Sequence, residues 1–137
     1  MAQRQDRARS DDFEMRIPAR AEELQRIRQA LGTWLDGRGA PPEVGAEVAL
    51  AVHEAAANAV EHAYPRGSGE LIVRARQDAG RLVVVVQDEG EWRSPSRTAQ
   101  RGRGLALMHG LMDDVEIAPS EAGSGTRVTL RRQVDHA

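Results

Sequence analysis

No cysteine and no lysine occur in this chain of 137 residues, and aromatic side chains make up 3% of it. Without thiols there are no disulfides, no thiolate nucleophile and no thiolate metal site, an economy that suits a reducing compartment. Without lysine, the phosphate loop of the type G-x-x-x-x-G-K-[ST] is excluded. Scarce aromatics argue against a platform on which single-stranded nucleic acid stacks. The basic residues are 19 arginines against 21 acidic residues, a formal charge of −2, so there is no net positive field to draw nucleic acid. No apolar run reaches eighteen residues and no signal-peptide pattern is present, which argues against membrane and export and for a cytoplasmic protein.

A chain of this length fits one domain and can bury roughly two-thirds of the surface its unfolded form exposes. Residues 1–12, MAQRQDRARSDD, are nearly all polar or charged and read as a disordered leader. The fold is expected over 13–132, with 133–137 as a tail. Phe13, Met15 and Ile17 alternate with polar residues before Pro18, the pattern of an edge strand. Leu24, Ile27, Leu31 and Trp34 recur at helical spacing within 22–35, and Gly37 and Gly39 supply a stop. Pro41 and Pro42 open a second helix that runs to about residue 63.

That second helix carries the segment HEAAANAVEHAYP, in which Glu54, Asn58 and His62 recur every four residues among alanine and valine. The spacing stacks an acid, an amide and an imidazole along one edge. Its apolar stripe is Val44, Val48, Ala51, Val52, Ala55 and Ala59; Glu54 and Asn58 fall just off one border and His62 within it. Such a row at the rim of a core faces a cleft.

Leu71, Val73 and Ala75, then Leu82, Val84 and Val86, alternate as two strands of a hairpin turning at Asp78-Ala79-Gly80. Asp88 shares the parity of Leu82, Val84 and Val86, so it points inward, where a lone carboxylate needs hydrogen-bond donors. There it can accept from an exocyclic amine, while Gly90 lets backbone approach a flat base; an isolated D-x-G is more often a strand-ending turn. A polar, arginine-rich loop over 89–102 leads to Gly102-x-Gly104-Leu105 at the start of a short helix over 105–112. Free N–H groups there could cradle an anion that Arg101 and Arg103 flank, though the isolated motif reads more simply as a flexible loop entering a helix. A strand over 115–117 and a last strand with Thr126, Val128 and Leu130 inward complete the chain, joined through the glycine-rich turn Gly123-Ser124-Gly125. Glu54 is a candidate general base, Asn58 offers an amide oxygen to Mg²⁺, and His62 is read as structural, with a contact near the metal as the alternative.

The order of these motifs resembles the GHKL ATPase superfamily, and more narrowly the anti-sigma-factor serine/threonine kinases. The residues that carry the resemblance are E-x-x-x-N-x-x-x-H-A-Y-P, starting at Glu54, and R-G-R-G-L-x-L-M-x-x-L-M-D-D-V, starting at Arg101. It implies an α/β sandwich, helices on one face of a mixed, mainly antiparallel sheet, with ATP between the layers. It implies Glu54 as general base, Asn58 as Mg²⁺ ligand, Asp88 and Gly90 at adenine, Gly102 and Gly104 in a lid over the phosphates, and Thr126 in support of the adenine site. The partners implied are an anti-sigma-factor antagonist that accepts phosphate and a sigma factor held inactive, with a homodimer as a family expectation. Trp92 stands where the superfamily often has the second glycine of D-x-G-x-G, and the lid, residues 91–101, is short. These departures leave open a nucleotide-binding module without phosphotransfer; a detached catalytic domain serving a histidine phosphoacceptor is a further alternative.

Overall fold

The computed structural model describes residues 12–62, 69–90, 106–120 and 125–134. Strand β1 (Phe13–Pro18) leads through a 3₁₀ turn (Ala21–Glu23) into helix α1 (Leu24–Gly37) and helix α2 (Pro42–His62). Strands β2 (Glu70–Asp78) and β3 (Arg81–Asp88) follow, then a short helix α3 over residues 106–111, and finally β4 (Asp114–Pro119) and β5 (Thr126–Gln133). One five-stranded sheet has the order β1-β2-β3-β5-β4, and each of its pairings is antiparallel. The expected two-layer α/β sandwich is therefore present, with β1 on the edge.

The β2–β3 turn follows from its residues. Ala79 and Gly80 both have positive φ, 53° and 79°, the left-handed pair whose twist matches a two-residue hairpin. Beyond β3 the order skips a place: the chain crosses to the far edge, forms β4, and returns as β5 between β4 and β3. Because β5 runs antiparallel to β3, its first residues lie beside the last residues of β3.

Alternation sends Ile17, Leu71, Val73, Leu82, Val84, Val86 and Leu130 to one face, where all are buried. Helix α1 packs against α2 and β1, and α2 lies over β3 and β5. Gly45 near the start of α2 brings the helices close: a Cβ there would meet the Cβ of Leu35 at 3.9 Å. The inward residues of α1 are Leu24, Ile27, Leu31 and Leu35. Trp34, expected in the stripe, is half-buried instead, its ring 5.9 Å from Phe13 and under the Arg38 guanidinium. The indole packs against the core from its edge, beside Phe13 of β1. On α2, Val48, Ala51, Val52, Ala55 and Ala59 are buried as expected, and small alanines let the helix sit close to the sheet.

The opposite face of the sheet carries alternating charge. Arg74 pairs with Glu14 at 3.2 Å and Arg131 with Asp114 at 2.7 Å, exposed contacts each worth at most about 1 kcal/mol. Among the described residues, no helix is long and apolar enough to cross a membrane.

Candidate functional site

The end of β3 and the start of β5 lie side by side, and Asp88 stands at that junction. Its parity points it into the helix-facing side, where it is 4% exposed. Burying a carboxylate is tolerable only with donors around it, and two backbone amides supply them. Asp88 Oδ1 accepts from the N–H of Gly90 at 3.0 Å and of Thr126 at 3.2 Å. The first bond is the strand-ending turn that D-x-G alone would make; the second ties β3 to β5. The two bonds fix the direction of the carboxylate.

Gly125 explains why the strands come so close. Its φ is +85°, and a Cβ built on it would lie 2.1 Å from the Asp88 carbonyl oxygen and 2.8 Å from the Glu89 Cα. A side chain there would push Thr126 away from Asp88. The sequence marks Gly125 as a turn residue; that it packs on Asp88 is a long-range fact with no local signal. Its carbonyl accepts from the Ser120 N–H at 3.1 Å, which closes the β4–β5 connection. On the outer side, Gln87 Nε2 donates to Glu89 Oε2 at 3.0 Å and to the buried Ser120 Oγ at 3.4 Å. Thr126 is itself buried, and the contact described for it toward Asp88 is through its amide.

Helix α2 presents Glu54 and Asn58, both half-buried, along the border of its apolar stripe. The helix that carries them packs on the strands that carry Asp88 and Thr126. Glu47 lies on the same border, two turns earlier, and bonds Arg132. His53, next to Glu54 in sequence, falls on the opposite border of α2, and its Nδ1 is buried without a hydrogen-bond partner among the described residues. His62 closes the helix, but its side chain lies outside the described residues, as do Arg101, Gly102, Arg103, Gly104, Leu105, Trp92 and residues 91–101. Helix α3, expected over 105–112, is helical over 106–111, with Met108 buried in the core and Met112 just beyond also buried.

Apolar Val86 and Val128 pair next to the buried Asp88 acceptor, and the Glu54 acid and Asn58 amide stand half-buried on α2. Among the described residues no group of three His, Asp or Glu side chains gathers as a metal site.

Comparison with known proteins places the chain in one family. The histidine kinase-like ATPase domain family matches residues 17–132. The serine-protein kinase RsbW of Bacillus pumilus is 35% identical, over 92% of this chain and 91% of that protein. RsbW of Bacillus subtilis is 32% identical, over 93% and 91%. Among solved structures, the RsbU and RsbW domains of Rv1364c from Mycobacterium tuberculosis superpose with a TM-score of 0.75 at 26% identity, over 92% of this chain. This chain spans about a third, 33%, of that solved chain.

Proposed function

The chain belongs to the histidine kinase-like ATPase domain family, and on that premise we propose that it is an ATP-dependent serine/threonine protein kinase and anti-sigma-factor regulator. It transfers phosphate to a hydroxyl of an anti-sigma-factor antagonist and, through another surface, holds a sigma factor inactive. The observation that carries the nucleotide part is the buried Asp88 carboxylate, aimed by the Gly90 and Thr126 amides into the layer between sheet and α2. The kinase part rests on the relatives, which are named serine-protein kinases.

In this reading Asp88 accepts the adenine amine, with Gly90 beside the base. Asn58 offers its amide oxygen to Mg²⁺, a cation that takes few protein ligands and completes its shell with phosphate oxygens and water. When bound, Mg-ATP supplies the transferable phosphoryl group and the cation that neutralises its charge. Glu54 Oε orients the acceptor hydroxyl and takes its proton. Arg101, Gly102, Arg103, Gly104 and Leu105 serve the phosphates. A phosphorylated antagonist then docks less well, because the added charge must be desolvated or repelled at the interface. A homodimer and a cytoplasmic setting belong to the same proposal.

The deciding experiment incubates the protein with γ-labelled ATP and candidate antagonist proteins. Acid-stable label on a partner serine or threonine supports the kinase, and Glu54→Gln should abolish that transfer while nucleotide binding persists. Acid-labile label points to a histidine acceptor. Binding without any label leaves a regulatory nucleotide module, the reading that Trp92 in the second glycine's place favours.

A further inference from the structure

Arg132 is a charged residue on the core face of the sheet. It stands on β5 opposite Leu82, at the end of β3 away from Asp88, and its side chain is 20% exposed. One guanidinium nitrogen, Nη1, donates to the carbonyl of Leu111, the last residue of α3. The other, Nη2, lies 2.8 Å from the Glu47 carboxylate on α2. A single planar fork thus spans three elements, with one prong on the negative end of a helix and the other on an acid. The same end of α3 is anchored further: the Asp113 N–H donates to the Arg131 carbonyl at 2.8 Å, and the Gln133 N–H to Asp113 Oδ2 at 2.7 Å.

We propose that Arg132 is a positioning residue for the nucleotide site, fixing the separation of α3 from the border of α2 that bears Glu54 and Asn58. This rests on the nucleotide reading above. Glu47, Glu54 and Asn58 share that border, and Glu54 lies about 10 Å along the axis from Glu47, two turns on in the same rigid helix. A shift at the pinned end is therefore felt at the polar row. The ion pair adds little to stability, since Glu47 is 46% exposed; what the fork supplies is a fixed distance. Lysine cannot replace it, because an ammonium lacks two parallel donors held in one plane. The burial of Met108 and Met112 keeps α3 docked on its apolar side without the clamp, so variants at Arg132 are expected to fold.

The test compares wild type, Arg132→Met, Arg132→Lys and Glu47→Gln by calorimetric titration with Mg-ATP and by amide hydrogen exchange of residues 106–111. If releasing the fork leaves the competent arrangement populated about one-tenth of the time, the apparent Kd of Arg132→Met rises about tenfold. Arg132→Lys should recover little of this, and Glu47→Gln, which retains the Leu111 contact, should fall between. Exchange in α3 should quicken in the same order. A role confined to stability would lower the unfolding midpoint and leave Kd within about twofold of wild type; that result overturns the inference while the nucleotide reading stands. Should Arg132→Met fail to fold, an unchanged Kd in Glu47→Gln overturns it equally. A wild-type protein that takes up no Mg-ATP removes the nucleotide reading and this inference with it.

Discussion

Replacing Gly125 by alanine probes the junction on which the site is built. The new Cβ would stand 2.1 Å from the Asp88 carbonyl oxygen, and ordinary contact begins near about 3.4 Å, so the two backbones must part by roughly 1.3 Å. Holding an alanine at a φ of +85° adds about 1–2 kcal/mol of steric strain. Parting the strands also stretches the Thr126 N–H to Asp88 bond, 3.2 Å, and the Ser120 N–H to Gly125 bond, 3.1 Å, each worth about 1 kcal/mol net. Together the loss is roughly 3–4 kcal/mol, a sizeable share of the about 5–15 kcal/mol available to a domain. Urea denaturation followed by circular dichroism reads that loss directly. Thermal shift with Mg-ATP reads the second consequence, loss of nucleotide uptake through a displaced Asp88. A Gly125→Ala protein within about 1 kcal/mol of wild type would refute the close packing of Gly125 on β3.

Gly32→Ala should act in the opposite sense: it is interior to α1 with nothing within 4 Å of a new Cβ, so urea unfolding should show a gain of about 0.5–1 kcal/mol. Asp88→Ala strips acceptors from two backbone amides and should lose about 1–3 kcal/mol. Asp88→Asn retains an acceptor oxygen, so it should keep most stability yet lose stabilisation by Mg-ATP, which the thermal shift separates. Glu14 gives a pH dependence. The hydrogen bond and charge of Arg74, then those of Arg16, hold its carboxyl below the ordinary carboxylate range, so its contribution is present above the unfolded value of about 4.3 and lost as pH falls through the lower folded value. Glu14→Gln should flatten that part of the acid limb in pH-dependent urea midpoints, and an unchanged limb would contradict the pairing.

Much of the fold was legible because the decisive signals are local. Alternation at Leu82, Val84 and Val86 gave both the strand and the inward parity of Asp88, and the Ala79-Gly80 turn follows from its residues. The apolar stripe of α2 gave the border position of Glu54 and Asn58. Trp34 packs against the core from its edge, while Leu35, next to it in sequence, is the fully buried residue of that turn, a division that spacing alone does not resolve. The Gly125 contact with Asp88 and the Arg132 fork join residues far apart in sequence, and no periodicity encodes such pairings. The resemblance to the kinases supplied roles for the site residues, which geometry alone leaves as an acid, an amide and a buried acceptor.

The central claim is that Mg-ATP lies between α2 and the helix-facing side of the sheet. Amide nuclear magnetic resonance during titration with Mg-ATP tests it most directly. The account predicts large, saturable shifts at Gly90, Thr126 and the α2 residues from Glu54 to Asn58, with Arg76 and Thr129 on the opposite face of the sheet unmoved. Shifts confined to that opposite face, or none at saturating nucleotide, would contradict it.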